Sequence, residues 1–572
     1  MLVGASSGGL VGRRARIPTA LASPHVTTED DAAFPTLGAT DIAVLESLGA
    51  RRQVAPGDHL YREGDPAYDF YVVVSGAVEI VVGSCGEERV LARHTAGRFL
   101  GELNLLTGLR VLVTARVVEE GEVIAVPAAR LRHVIATQPA LSDTILAAFI
   151  ARRALLLEGA AGAIRIVGSR FSPETGRMRE FLARNRIPHE WLDPDADPEV
   201  EEHLRQFHVP PSDLPVVVVT GSILRRPTVG ELAQYLGLTV DSLTDRCFDL
   251  VIVGGGPAGL AAAVYGASEG LRTLALERRA VGGQAGSSSR IENYLGFPMG
   301  ISGGDLAQRA EVQAEKFGAH LTSPCAAVGL REEAGHLLVK LSDGTAVAGR
   351  AVIAATGARY RRLDADGLDE FECKGVFYAA TDLEARLCRP SPVVVVGGGN
   401  SAGQAAVFLA ESGSPVTVVV RGADLNAGMS RYLVDRIEAH ERIEVKVGTT
   451  VTRLEGDDQL RAVHLEGKEG EGSVACAALF SFIGAEPASD WLSGCAALDE
   501  HDFVLTDRSL GSEHLDGRWA TLDRDPLPFE TSHPGLFAVG DLRAGSTKRV
   551  AAAVGEGSAA VRSVHEYLAF AH

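Results

Sequence analysis

Paired cysteine is missing from this chain. Seven thiols, at Cys85, Cys247, Cys325, Cys373, Cys388, Cys476 and Cys495, are scattered through 572 residues without a C-x-x-C or a zinc-like spacing. That distribution excludes a local redox dithiol, gives no metal site, and fits reduced thiols in a cytoplasmic protein. Long apolar runs are absent as well: 46% of residues are hydrophobic, yet no uninterrupted stretch is long enough to span a bilayer, and no membrane span is expected. Positive charge is in deficit, with 55 Lys and Arg against 74 Asp and Glu and a net charge of -19, which disfavours phosphate backbones and argues against a nucleic-acid partner. The first residues carry Arg13, Arg14 and Arg16, but Ile17–Ala22 is too short and Pro-interrupted for an export signal, so 1–34 reads as a disordered tail.

What is present is organised around residues 249–259. Asp249–Val253 reads as a buried strand, Gly254-Gly255-Gly256-Pro257-Ala258-Gly259 supplies G-x-G-x-x-G, and the small apolar residues Leu260–Ala267 suit a helix packed on that strand. This is the dinucleotide fingerprint: Gly254 permits the turn, Gly256 lets backbone approach a pyrophosphate, and Gly259 allows close helix packing. Glu277 follows the strand-like Leu274–Leu276 about 20 residues on, where a ribose-binding acid belongs. A second unit, Val393–Val396 followed by Gly397, Gly398, Gly399, Asn400, Ser401 and Ala402, has Ala at the third glycine position. Two such units imply two dinucleotides.

Further motifs extend the pattern. Val352-Ile353-Ala354-Ala355-Thr356-Gly357 precedes the second unit, and Gly535–Gly540 with Asp541 has the form of a second flavin motif. Together with Gly282-Gly283-Gln284, Ile291-Glu292-Asn293-Tyr294 and Lys548-Arg549-Val550-Ala551, they make residues 248–572 resemble the low-molecular-weight thioredoxin reductases. The resemblance implies FAD held by 247–374 and 489–572, with NAD(P) held by 375–488. It implies Asn293, Thr356, Gly357, Gly540, Asp541, Lys548, Arg549 and Val550 as further cofactor contacts, and a homodimer.

Two small modules precede this part. Between Pro56 and Val82, short apolar stretches divided by Gly predict a small antiparallel barrel or jelly roll, and helix-like sequence runs from Ala128 to about Leu157. Residues 35–160 resemble a cyclic-nucleotide-binding domain, and Gly101-Glu102 keeps its ribose-binding start. The family's phosphate-gripping Arg falls on Val111, Arg110 lies one place early, and Leu112 and Val113 replace small residues. Losing that contact removes roughly 1.5–3 kcal/mol, so cyclic-nucleotide binding is expected to be weak or lost. In 161–246, strands at Ile164–Val167 and His189–Asp193, helices at Gly176–Asn185 and Val200–Phe207, and Pro215 before Val216–Val219 resemble a glutaredoxin/thioredoxin fold. Its thiol positions hold Ser172 and Thr175, which excludes disulfide exchange and leaves a docking or spacer role.

The reductase part has lost the same chemistry. The thioredoxin-reductase thiols fall on Ala379 and Asp382, and Cys373 and Cys388, fifteen residues apart, merely flank the segment. No catalytic side chain is assigned, and Tyr378 is the candidate for lining the dithiol's place. Arg421, after Val416–Val420, favours the 2′-phosphate of NADPH over NADH, although Gly422 replaces a second Arg and Arg431 is left to compensate. The expectation is an FAD-dependent NAD(P)H oxidoreductase, resembling dithiol-free ferredoxin/flavodoxin reductases and passing electrons to a small protein or small-molecule acceptor. Thioredoxin-disulfide reductase in the family sense and a flavin-stabilised scaffold are the alternatives. The fold class follows: a multidomain chain with a barrel, a small α/β module and two Rossmann-like domains.

Overall fold

The computed structural model describes residues 32–570, apart from 85–86, 108, 159–163, 198–199, 201–203, 206–208, 220–221, 239–246, 289, 373–374, 458, 468–469 and 523. Most of the N-terminal tail, Cys85, Cys373 and most of the expected helix Val200–Phe207 therefore lie outside the described residues. Contacts divide the chain into two units, 1–169 with 186–238, and 170–185 with 239–572.

The first unit contains the antiparallel barrel. Its long strands Phe70–Ser84 and Thr114–Val126 pair from Phe70 opposite Val126 to Val81 opposite Thr114, with Ala50–Val54 and Glu87–His94 on either side. Alternation along these strands sends Tyr71, Val73, Val78, Val82, Val117 and Val123 into one core. The apolar sequence after Ala128 forms two helices, not one: Ala128–Thr137 and Pro139–Glu158. Pro139 has no N–H to donate and disfavours helical backbone at Gln138, so the chain restarts there.

A four-stranded sheet follows in the order Ser222–Arg225, Val216–Val219, Ile164–Val167, His189–Leu192, the last pair parallel and the others antiparallel. Leu214–Pro215 is cis. The helix assigned from sequence to Gly176–Asn185 begins at Pro173, because Ser172 Oγ accepts the Thr175 N–H at 3.2 Å as an N-cap and Pro173 needs no partner at the first helical position.

The second unit holds a mixed seven-stranded sheet and an all-parallel five-stranded one. Cys247–Val253 is central to a seven-stranded sheet, flanked in parallel by Thr273–Leu276 and Ala346–Ala354. Leu536–Ala538, nearly two hundred residues later, pairs in parallel with Ala346–Ala354 and so returns the chain to that sheet. Between these passages lies an all-parallel five-stranded sheet in the order Val376–Phe377, Ala478–Ser481, Val393–Val396, Val416–Val420, Ile443–Val447. The two crossings of the chain pair with each other, Ala358–Tyr360 against Ala485–Pro487. Val393–Val396 and Val416–Val420, in the middle of the five-stranded sheet, are buried on both faces and read as β-branched runs for that reason, while the edge strand Ile443–Val447 is partly exposed.

Candidate functional site: two dinucleotide cradles

The first cradle is built by Gly254–Gly259. Gly254 has φ +115, where a side chain is strained, and a Cβ there would collide with the Ala355 carbonyl. A Cβ on Gly259 would land on the Gly254 carbonyl oxygen, so the helix Pro257–Ser268 seats directly on the turn. Gly256 is different: its nearest neighbour would be the Gly283 Cα at 3.9 Å, leaving two bare backbones facing each other across a gap. Gly282 N–H donates to the Gly255 carbonyl at 2.8 Å, which holds the Gly282-Gly283-Gln284 loop against the fingerprint. Glu277 Oε2 accepts the Gly255 N–H at 2.7 Å and Oε1 the Arg279 N–H at 2.9 Å, so its carboxylate is oriented at the end of its strand.

Asp541 comes to the same module from the far end of the chain. Burial pushes its carboxyl above the usual range, Lys548 pulling it down and Glu556 pushing further up, and among the described residues the carboxylate accepts no hydrogen bond. Its loop is held by Glu556 of the final helix, Val550–Phe570, which accepts the Gly540 N–H at 2.8 Å and pairs with Arg543 at 2.7 Å. Gly557 on that helix meets Ala258 so closely that a Cβ would strike the Ala258 carbonyl. Lys548 Nζ donates to the Asp541 carbonyl at 2.6 Å, and Arg549 and Val550 open the helix beside it. Thr356 Oγ1 donates to the Ala488 carbonyl at 2.7 Å, Gln284 Nε2 donates to the Ala358 carbonyl, and Asn293 is exposed. The structure thus brings both flavin motifs to one sheet. A gap between bare glycines, a carboxylate fixed by backbone donors and a half-buried carboxylate without a hydrogen-bond partner suit a pyrophosphate, a ribose and a hydroxylated chain, so the residues fit FAD.

The second cradle repeats the design. Gly397 has φ +146 against the Phe482 carbonyl, the helix Asn400–Glu411 begins immediately after Gly399, and Ala402 is fully buried against the core. Asn400 Oδ1 accepts the Ser430 N–H at 2.6 Å, so its side chain closes the facing loop, while Ser401 is exposed. Arg421 ends its strand exposed, and among the described residues no hydrogen bond or ion pair holds it. Arg431 is already paired with Asp435 at 2.7 Å. The two modules meet through Arg436 and Glu292 at 3.3 Å.

Where a dithiol would lie, the chain presents Ala379 and the start of the helix Asp382–Cys388. Tyr378 stacks on Tyr360 with ring centroids 6.0 Å apart, and its hydroxyl donates to Glu372 at 2.7 Å. Cys388 and Cys476 are buried, and burial pushes each thiol up to about 12, with Glu384 adding to the effect at Cys388 and Cys388 at Cys476. Such thiols are protonated and unreactive.

In the barrel, the residues matched to the cyclic-nucleotide motif are engaged within the protein. Val111, Leu112 and Val113 are buried in its core, and Glu102, 5% exposed, accepts from Asn104 Nδ2 at 2.9 Å and lies 3.6 Å from Arg153. Arg153 also donates to Asn104 Oδ1. Arg110 Nη1 donates to the Gly64 carbonyl at 3.0 Å, so it grips backbone. Arg152 sits fully inside, donating to the carbonyls of Ala33, Gly101 and Phe99. Sequence reasoning passed over Arg152, Arg153 and Glu556; the only signal was a charge within an otherwise apolar or small-residue helix.

Two Gly-turn cradles, each at the end of a central parallel strand, on sheets joined by paired crossings, define a two-dinucleotide oxidoreductase. The chain belongs to the pyridine nucleotide-disulphide oxidoreductase family, which it matches over residues 248–557, more than half its length. Residues 51–138 match the cyclic nucleotide-binding domain. The thioredoxin reductase of Treponema pallidum (strain Nichols) is 33% identical over 324 residues, 56% of this chain and 97% of that protein. Crystal structures of thioredoxin reductase from Lactococcus lactis and from T. acidophilum each align with a TM-score of 0.50, at 28% and 27% identity, covering 56% of this chain and 99% and 98% of theirs.

Proposed function

We propose that the protein takes hydride from NADPH onto FAD and hands the electrons to an external acceptor without any protein disulfide. One observation carries the reading: both cradles are intact, while Ala379 and Asp382 occupy the dithiol positions. When bound, FAD would accept one hydride, that is one electron pair, and release electrons singly or as a pair, so a dithiol is not required. Gly254, Gly256, Gly259, Glu277, Gly283 and Asp541 would hold FAD; Gly397, Gly399 and Ala402 would hold the nicotinamide dinucleotide, with Arg421 reading its 2′-phosphate. The chain's own part is positioning: the fingerprint helix offers backbone donors to the pyrophosphate, and the Tyr360–Tyr378 stack keeps an aromatic surface where the dithiol would stand.

The relatives named thioredoxin reductase favour thioredoxin as acceptor. Against it stand the missing thiols and the burial of Cys388 and Cys476. The four-stranded sheet has the strand order of a thioredoxin-like module, and we read it as one that cannot exchange disulfides because Ser172 and Thr175 carry hydroxyls where thiols would be needed. The test is NADPH oxidation by the purified full chain with ferredoxin, flavodoxin, a quinone, dioxygen and thioredoxin in turn. Turnover with one of the first four and none with thioredoxin is expected. No turnover with any would leave a scaffold role, and turnover with thioredoxin alone would establish a disulfide route.

A further inference from the structure

The Pro173–Arg184 helix lies in sequence between two strands of the four-stranded sheet, yet its contacts place 170–185 in the unit that contains the dinucleotide cradles. Its last residues explain this. Arg184 Nη2 donates to the Gly283 carbonyl at 2.9 Å and is the one donor to that oxygen among the described residues. Asn185 Nδ2 reaches the Arg279 carbonyl at 3.4 Å, which Ser323 also serves at 3.0 Å. The two residues therefore tie both ends of the 279–283 loop.

Besides Ser323, the loop is tied to the fingerprint turn and to the Glu277 that the turn holds. Gly282 N–H donates to the Gly255 carbonyl, Arg279 N–H donates to Glu277, and Glu277 accepts the Gly255 N–H. Gly283 has φ +55, and a Cβ on it would stand 3.0 Å from the Gly256 Cα. Moving Gly283 toward Gly256 closes the gap left for a pyrophosphate; moving it away removes one wall. A charged donor on the Gly283 carbonyl fixes that separation, and charge-assisted bonds are the strong ones.

We propose that Arg184 is a positioning residue for the flavin site, holding the 279–283 loop at the distance from Gly256 that FAD requires. The inference rests on the FAD reading of this cradle. It gives the segment 170–185 a structural role, since the helix whose start carries Ser172 and Thr175 braces the flavin loop.

The test uses the full chain loaded with FAD, and follows FAD release after dilution by the regain of flavin fluorescence, with apoprotein melting as a second readout. Arg184→Ala should release FAD about tenfold faster with its apoprotein melting unchanged. Arg184→Lys, which keeps a charged donor, should stay within about threefold of the parent. Arg177→Ala, on the same helix but paired only with Glu174 on the surface, should match the parent. Parental release from Arg184→Ala, equal acceleration in Arg177→Ala, or no rescue by Lys overturns the proposal alone. A parent chain that takes up no FAD overturns it together with the proposed function.

Discussion

A methyl group at Gly259 would strike the Gly254 carbonyl, whereas one at Gly256 meets nothing nearer than 3.9 Å. The first glycine is required by the fold, and the second, on the proposed FAD reading, by what binds. Gly259→Ala should therefore destabilise the protein by about 1–3 kcal/mol, read as a fall in melting temperature. Gly256→Val, at an ordinary φ of -75°, should melt like the parent as apoprotein but purify without flavin. Full flavin in that variant would remove Gly256 from the site. Arg421, exposed and unheld, should act only through the coenzyme. Arg421→Ala is expected to raise the KM for NADPH about tenfold, corresponding to about 1–2 kcal/mol, with little change for NADH. Equal effects on both would show that Arg421 does not read the 2′-phosphate.

Within the barrel the strands and helices trap ionisable groups. His94, at the end of Glu87–His94, is buried with its pKa pushed down to about 3, first by burial and then by Arg152 and Arg98. Its folded pKa lies below the unfolded one, so the unfolded chain binds more protons in between. The stability it contributes is present above about pH 6.5 and is lost as pH falls toward 3. Glu102 works in the opposite sense, since burial raises its carboxyl and favours the folded state as pH falls. His94→Phe should flatten the acid side of the melting profile between about pH 7 and 5; an unchanged slope would assign acid sensitivity elsewhere. The same element bears on cyclic-nucleotide binding. With Val111, Leu112 and Val113 in the core and Glu102 held by Asn104 and Arg153, calorimetry should detect no binding of cyclic AMP or cyclic GMP up to about millimolar, and micromolar binding would require those side chains to leave.

For the molecule as a whole, the question is where electrons leave. The free thiols among the described residues include Cys388 and Cys476, buried and held protonated, and Cys325, pushed up to about 11 by burial and by Asp343. None of these three is poised as a nucleophile. A chain with Cys373→Ser and Cys388→Ser together should retain full turnover with its acceptor and show none with thioredoxin, as the parent should. Thioredoxin reduction that vanishes with those two thiols would show a relocated dithiol.

How much of this was legible in the sequence depended on the range over which each feature is decided. Gly254 and Gly397 supply left-handed turns and Gly259 seats its helix on the Gly254 carbonyl, all within a strand-turn-helix, so the spacing was readable as dinucleotide turns before any packing was known. The Ala355 and Phe482 carbonyls that also press on Gly254 and Gly397 come from elsewhere in the chain. The barrel's alternation and Pro139's break are local in the same sense. The loss of the phosphate-binding Arg at Val111 was readable as a departure from a pattern. What replaced it was not, because Arg153 meets Asn104 across 49 residues and only packing of the Pro139–Glu158 helix brings them together. Arg184 and Gly283 are 99 residues apart, on segments whose sequences carry no mark of each other. Glu556 reaches Gly540 only because the final helix crosses the fingerprint helix at Gly557. Turn chemistry and strand periodicity are local and were set by the sequence; the partner of each buried charge, and the helix that braces the flavin loop, were decided by tertiary packing, since a charge is satisfied by whichever acceptor the fold delivers to it.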